Sequence, residues 1–183
     1  MNYISKRILF KNTLKTLIVI SSALFCTSAF AQISALKDHE VENPVDISAD
    51  RLEVKQKENI ALFTGNVVVS QSDMSLVSDR ITVFYQSDRE ENNSSSISRL
   101  DASGNVVMTS TTETISSTWG VYDFAEKIIT LGGNVEFNNA DGKIKSPRLQ
   151  VNLTTGQITM DGGRVKGGQT GERVSGQFTP PKN

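Results

Sequence analysis

Apolar and polar residues alternate with a period of two through most of the chain after residue 43, and this alternation recurs in four units. The units begin at Ile47, Leu76, Ile115 and Ile144, and their apolar positions are mainly β-branched or aromatic. A period of two with such residues is typical of strands that bury one face. Each unit therefore predicts a strand, a turn and a second strand.

The four units share their spacing and their glycines. The second unit is longer than the others, and its extra residues lie in "SDREENNSSS", a polar segment of the kind that surface loops tolerate. A Gly-Asn or Gly-Gly pair before each second strand predicts a bulge or bend at that point. The distance from first apolar residue to glycine is 18 positions in Ile47 to Gly65, Ile115 to Gly133 and Ile144 to Gly162, and 28 in Leu76 to Gly104.

A hairpin with one apolar face cannot bury that face alone, and stacking similar hairpins buries it. Short turns such as "QKEN", "AEK" and "TTGQ" suit antiparallel neighbours. No segment after residue 31 has a convincing helical period. The chain is therefore predicted to be all-β, a stack of antiparallel hairpin repeats around an apolar interior. Small residues on the inner faces, Ala61, Ala102 and Gly120, favour room for a ligand inside.

The first 31 residues have the layout of a secretory signal peptide rather than of a folded domain. A basic start with four Lys and Arg residues precedes the apolar run "LIVISSALFCTSAFA", and Ala29-Phe30-Ala31 forms a small-residue cleavage site. The apolar run is shorter than the roughly 20 residues of a membrane-spanning helix. Cleavage after Ala31 and export are predicted, with retention as an anchor left as the alternative.

Removal of residues 1–31 changes the charge and the cysteine content. Four of the 19 basic residues and none of the 20 acidic ones lie there, so 15 basic against 20 acidic residues leave a net charge of −5. The one cysteine, Cys26, lies there too, so no disulfide is expected in the exported chain. A negative domain lacks the clustered Lys and Arg that nucleic acids require, and no nucleic-acid partner is predicted.

Signals for catalysis are scarce, and the chain is predicted not to be an enzyme. His39 is the one histidine and lies in the polar segment "KDHEVENP", where an exposed, unstructured residue is expected. Zinc sites need several Cys or His ligands, and no metal or cofactor site is predicted. No phosphate-binding loop is present, and paired carboxylates facing one groove, as polysaccharide hydrolysis requires, are not indicated.

Trp119 and three arginines occupy matched positions in the four units, the arginines being Arg51, Arg80 and Arg148. Trp119 either contacts a partner or packs over a neighbouring side chain. The arginines either lie near bound anionic groups or lie on the outer face opposite acidic residues.

The segments "PVDISAD", "FTGNVVV", "VSDRITVFY", "ITLGGNVEF" and "IKSPRLQVNLTTGQI" together resemble the OstA-like family, which includes periplasmic LptA-type proteins, over roughly residues 43–165. The resemblance implies an open β-jellyroll at residues 43–178, between a flexible lead at 32–42 and a tail at 179–183. It implies a periplasmic protein that binds the acyl chains of lipopolysaccharide. It also implies head-to-tail self-association and docking to jellyroll domains of inner-membrane LptC-like and outer-membrane LptD-like proteins.

The resemblance and the alternation together assign a lipid-binding groove and two partner-binding edges. The edges are assigned to Val45 and Ile47 at the N-terminal side and to Ile158, Met160 and Val165 at the C-terminal side. The groove is assigned to Val45, Ile47, Leu52, Val54, Phe63, Val67, Val69, Ile81, Val83, Tyr85, Val106, Met108, Leu131, Val135, Phe137, Leu149 and Val151.

Two other readings of the pattern remain open from the sequence. A membrane-anchored, LptC-like jellyroll of the same pathway would keep the apolar N-terminal run as a span. A β-solenoid surface scaffold would also repeat strand pairs with Gly-Asn turns, but its interior would be fully packed.

Overall fold

A computed structural model describes residues 39–87, 95–163 and 171–180. The chain divides into two units, Met1–Gln32 and Ile33–Asn183, and the predicted signal peptide lies in the first, outside the described residues. The strands are β1 (Asp46–Ser48), β2 (Arg51–Lys55), β3 (Ile60–Gln71), β4 (Met74–Ser87), β5 (Ser95–Thr109), β6 (Thr114–Asp123), β7 (Ile128–Asn139), β8 (Gly142–Asn152), β9 (Gln157–Asp161) and β10 (Ser175–Phe178).

All ten strands belong to one antiparallel sheet in which β3 to β8 follow one another as a meander. One edge consists of two short strands, β1 and β2, which pair with different halves of β3. The other edge is built alike, from β9 and β10 on the two halves of β8. Among the described residues no pairing joins these two edges, so the sheet is an open β-jellyroll, as predicted.

Three of the predicted bulges are present, and they divide the long strands into halves. The register shifts at Gly65-Asn66 in β3, Gly104-Asn105 in β5 and Gly133-Asn134 in β7, and all six residues have positive φ. Bulges bend a strand and increase its twist. The fourth glycine pair, Gly162-Gly163, follows the last residue of β9 and lies in no described strand.

The three bulges lie side by side and form a crease across the sheet. One layer contains β2, β9 and the halves of the long strands that face them, such as 60–64 and 119–123, and the other contains β1, β10 and the remaining halves. We call these the first and second layers. Side chains of both layers join one hydrophobic core.

One polar contact demonstrates that the two layers face each other. The hydroxyl of Tyr122 in the first layer lies 3.4 Å from Oε1 of Gln71 in the second. Their strands, β6 and β3, are separated by β4 and β5 in the sheet. Neighbouring strands are ~4.8 Å apart, so a flat sheet would hold β3 and β6 roughly 14 Å apart. The sheet therefore folds over at the crease. The strand ends that lie farthest from the crease, which we call the free ends of the layers, meet at this contact.

A polar side chain from a neighbouring strand, or from the connection between β1 and β2, holds each bulge. Asn66 donates to the Asp50 carboxylate at 2.8 Å, and Asn105 donates to that of Asp79 at 2.9 Å. At the third bulge the Thr118 hydroxyl donates to the carbonyl of Gly133 at 2.9 Å. The repeated Asp-Arg and Gly-Asn segments of the sequence thus meet as partners across the crease.

Gly104→Ala is expected to lower the free energy of unfolding by about 1–3 kcal/mol, because a side chain at positive φ is strained. Gly104 has φ of +79°, and an added Cβ would lie 2.3 Å from Oδ2 of Asp79. Urea unfolding of the purified domain measures the change. In an Asp79→Ala background the same substitution should cost less, and an equal cost in both backgrounds would contradict the steric part of this account.

Candidate functional site

Rows of apolar side chains cross the inner face of the sheet from edge to edge. Residues directly opposite each other in an antiparallel pair point to the same face. One first-layer row therefore contains Leu52, Phe63, Ile81, Ala102, Gly120, Leu131, Leu149 and Met160. The next contains Val54, Ala61, Val83, Leu100, Tyr122, Ile129, Val151 and Ile158. A second-layer row contains Ile47, Val69, Leu76, Met108, Ile115, Phe137 and Ile144.

The structure brings most of the predicted groove residues together inside this sandwich. Val45, Ile47 and Phe63 are half-buried against the core, and Tyr85 is half-buried near the end of β4. Ile158 and Met160 of the predicted C-terminal edge also pack against the core, whereas Val165 lies outside the described residues. The fully buried members are Val67, Val69, Ile81, Val83, Val106, Met108, Leu131, Val135, Phe137, Leu149 and Val151.

The rows end in apolar side chains that solvent reaches. Leu52 and Val54 on β2 retain 53% and 52% of their exposure. They continue the two first-layer rows beyond Phe63 and Ala61. We call Leu52 and Val54 the exposed rim. Leu52 and Val54 thus extend the apolar inner face to solvent at the β2 edge.

The expectation of ready-made room inside is wrong. The interior cavity has a volume of about 20 Å³ and is lined by residues that include Ala102, Gly120, Tyr122 and Met74. A cavity of that size holds about one water molecule. The absence of a side chain at Gly120 leaves no empty space, because the side chain of Leu131 occupies it. Cδ2 of Leu131 lies 2.8 Å from the position that a Cβ of residue 120 would take. The described interior is thus a closed, apolar sandwich.

The three matched arginines lie on the outer face, which was one of the two alternatives. Arg51 and Arg80 both oppose Thr64, and Arg148 opposes Gly132 on one side and Asp161 on the other. Their neighbours along each strand, Leu52, Ile81 and Leu149, point inward. The arginines therefore do not line the apolar interior.

Trp119 lies on the same outer row and covers a glycine. An ideal Cβ on Gly132 would come within 2.1 Å of the indole ring, so the ring occupies the space that a side chain at position 132 would need. The side chain is 41% exposed. Trp119 packs over its neighbour in the sheet, although that neighbour is a glycine backbone rather than a side chain.

The outer face also carries ion pairs, and these do not contact the apolar interior. Glu136 accepts hydrogen bonds from Lys143 and Lys145, the latter at 2.7 Å, and these bonds lower the pKa of Glu136 to about 2. Arg99 donates to Asp101 at 2.6 Å and lies over the Phe84 ring at 5.4 Å. The hydrogen bond to Asp101 raises the pKa of Arg99.

A buried polar cluster lies where the ends of the two layers meet, and it includes a histidine that the alternation of the strands did not place inside. His39 is 8% exposed, so the expectation of an exposed, unstructured histidine is wrong. Its Nε2–H donates to Oε1 of Gln71 at 3.0 Å. Gln71 is 2% exposed and receives this bond because its side chain turns inward at the end of β3. Burial raises the pKa of the neighbouring Tyr122 to about 12, so its hydroxyl stays a donor.

Several interior residues were missing from the predicted groove. Leu100, Ile115 and Ile129 are buried members of the three rows. Ile129 lies two positions before Leu131, and Ile115 begins the third unit, so strict alternation identifies both. Leu100 was harder to place, because the polar insertion shifts the register between Phe84 and Tyr85.

Two kinds of feature are absent from the described residues, a group of metal ligands and a membrane-crossing helix. Within residues 39–87, 95–163 and 171–180, no three His, Cys, Asp or Glu side chains come together as metal ligands would. In the same part of the chain, no helix has the length and apolar character needed to cross a bilayer. What the structure concentrates at one place is apolar surface.

An open antiparallel jellyroll with apolar rows along its inner face places the chain among the β-jellyroll domains. The family model described as LptA/(LptD N-terminal domain) LPS transport protein matches residues 46–157. This match spans more than half of the chain, and the chain belongs to that family. The family is one of transport proteins and not of enzymes.

Two further comparisons show what the chain is similar to. An uncharacterized protein of Rhizobium meliloti (strain 1021) is 29% identical over an alignment of 156 positions, and the alignment covers 80% of this chain and 84% of the relative. The fold also resembles that of LptH from Pseudomonas aeruginosa, the LptA homologous periplasmic component of a lipopolysaccharide transport device. That likeness has a TM-score of 0.62 at 16% identity and covers 76% of this chain and 97% of LptH, so it shows a common fold.

Proposed function

We propose that this protein binds the acyl chains of lipopolysaccharide between its two layers and carries that lipid through the periplasm. The observation that supports the proposal most is the continuity of the apolar rows from the buried centre to the exposed rim. Family membership supplies the substrate class.

Burial of acyl chains supplies enough free energy for such a role. Each buried CH₂ contributes about 0.8 kcal/mol. A chain of a dozen carbons therefore contributes on the order of 10 kcal/mol before ordering costs are subtracted. The chain without residues 1–31 has a net charge of −5, which repels an anionic headgroup. Affinity then comes from the apolar interior, with the headgroup left towards solvent.

The closed interior sets a condition on binding. A cavity of about 20 Å³ does not accept an acyl chain, so the two layers must separate or their side chains must repack. The two layers join along the crease, and their free ends are linked by a single weak contact at 3.4 Å between Gln71 and Tyr122 among the hydrogen bonds described. We place entry of the acyl chain at the exposed rim, with separation of the two layers where Gln71 contacts Tyr122.

Assembly belongs to the same proposal. Short edge strands leave backbone donors and acceptors unpaired, and another jellyroll can add to such an edge. We assign the N-terminal edge, with Val45 and Ile47, and the C-terminal edge, with Ile158 and Met160, to docking. Copies of this chain would join head to tail, and LptC-like and LptD-like jellyrolls would take the terminal positions.

The proposed route places the domain of residues 43–178 in the periplasm after cleavage of the signal peptide at Ala31. Transport energy must come from elsewhere, because the chain carries no nucleotide-binding motif. The role is therefore that of a passive conduit, which keeps acyl chains away from water.

A photo-crosslinking residue at Phe63 is expected to capture lipopolysaccharide in living cells, because Phe63 lies on the inner face between the exposed rim and Ile81. The same residue placed at Thr64 is the matched control, since Thr64 is the next position on β3 and points to the outer face. Capture is read as a lipid-modified band on a denaturing gel.

Strong capture at Phe63 with background capture at Thr64 supports the proposal. Equal capture at the two positions, or capture at Thr64 alone, contradicts binding between the layers.

A further inference from the structure

The side chain of Gln71 connects three parts of the molecule at once. Its Nε2 donates to the carbonyl oxygens of Val41 and Asn43, at 3.0 and 2.9 Å. Its Oε1 accepts from His39 Nε2 at 3.0 Å and lies 3.4 Å from the Tyr122 hydroxyl. One buried amide thus binds the segment before β1 on one side and the opposite layer on the other.

The contact with Tyr122 lies at the border of the cavity. Tyr122 lines the interior cavity together with Val69 and Met74, which flank Gln71 in β3 and β4. We call the line where the free ends of the layers meet, at Gln71 and Tyr122, the seam. Opening of the seam enlarges the cavity directly.

Residues 39–45, which we call the latch segment, are attached mainly by polar contacts. Asn43 donates to the hydroxyl of Ser72 at 2.8 Å, and His39 Nδ1 lies 3.5 Å from Asp73. Val41 and Val45 pack against the core but stay half-buried. The net cost of breaking a hydrogen bond is small where water replaces the lost partner, so release of the latch segment requires that water reaches the amide of Gln71. Such an attachment suits a segment that is released and rebound.

We propose that the latch segment closes the seam, and that its release through Gln71 admits an apolar ligand to the interior. The proposal rests on the proposed function for the identity of that ligand, an acyl chain. When the layers separate at the seam, the Tyr122 contact breaks and Gln71 moves with its layer. The latch segment and Gln71 both belong to the second layer, so they move together, and loss of the Tyr122 donor leaves Oε1 of Gln71 held by His39 alone. The amide of Gln71 then binds Val41 and Asn43 less firmly, so opening of the interior and release of the latch segment favour each other.

Gln71→Met, which keeps the length of the side chain and removes its amide, tests the proposal in the exported chain. Backbone amide exchange in the latch segment, above all at Asn43, whose N–H bonds the carbonyl of Glu40, is expected to accelerate roughly tenfold, because several hydrogen bonds are lost together. The association rate of the apolar fluorophore N-phenyl-1-naphthylamine is expected to rise by a similar factor. Gln150→Met on the outer face of β8 is the matched control and should change neither rate.

Faster exchange in the latch segment without faster fluorophore uptake overturns the proposal, and so does unchanged exchange. Tyr122→Phe is a second variant that removes one hydroxyl and keeps Gln71. It should accelerate exchange in the latch segment if the seam and the latch are coupled, and unchanged exchange overturns the coupling even if Gln71→Met fails to fold. If neither the unaltered chain nor any variant takes up fluorophore or lipopolysaccharide, the proposed function is wrong. The exchange rates then still test whether the latch segment and the seam are coupled.

Discussion

Phe137→Ala is expected to lower the free energy of unfolding by about 3–5 kcal/mol, the range for truncating a buried aromatic side chain. Phe137 is 1% exposed and lies in the second-layer row between Ile115 and Ile144. The cost combines lost burial with the cavity left behind, since the crease and the hydrogen-bonded strands restrict collapse into that space. Urea unfolding followed by circular dichroism measures the change.

Phe178→Ala is the matched control, because it makes the same chemical change at a residue that is 61% exposed on β10. Its cost should stay below about 1 kcal/mol, as is usual for surface positions. If both variants lose the same stability, the assignment of Phe137 to a shared two-layer core is wrong. If Phe137→Ala changes the denaturant slope rather than the midpoint, the variant alters the compactness of one of the two states.

Leu52→Asp combined with Val54→Asp is expected to weaken lipopolysaccharide binding at least tenfold, which corresponds to about 1.4 kcal/mol or more. Two carboxylates in the exposed rim would have to lose water when an acyl chain passes, and burial of unpaired charge is costly. Both side chains are about half exposed, so the folded chain without lipid should tolerate the charges. Lipid affinity and thermal midpoint, measured on the same preparation, separate the two effects.

Arg51→Asp is the control for charge. It also changes the net charge by −2, as does the paired rim substitution, but it lies on the outer face of the same strand. Loss of binding in the rim variant alone supports passage through the rim. An equal loss in both variants would indicate that general repulsion of the anionic lipid, rather than the local apolar path, sets the affinity.

Much of this architecture follows from the sequence because local rules repeat in it. Alternation placed Ile81, Leu131 and Leu149 on one face, and the register confirms that they share a row. The Gly-Asn pairs predicted bulges, since a glycine followed by asparagine accepts positive φ twice in succession. Four similar units, each with one apolar face to bury, also predicted an antiparallel stack of hairpins. The family resemblance predicted that the sheet is open.

The remaining features depend on contacts between strands and on the place of each strand in the sheet, and local pattern carries no information on either. His39 was judged by its polar neighbours, but it is buried because Gln71 turns inward at the end of β3 and offers it an acceptor. Ala102 and Gly120 suggested space, but Leu131 from the neighbouring strand occupies it. The exposure of Leu52 and Val54 follows from their position on the last strand of one edge, which alternation alone does not distinguish from a central strand.

The alignment of the three bulges has a mechanical consequence. Six residues in left-handed conformation, two on each of three strands, place the bend at one level across the sheet. A jellyroll that joins either edge by backbone pairing must therefore bend at the same level or give up half of its hydrogen bonds. If assembled domains share the bend, their inner faces form one continuous groove. The number of molecules in the assembly then sets the length of that groove.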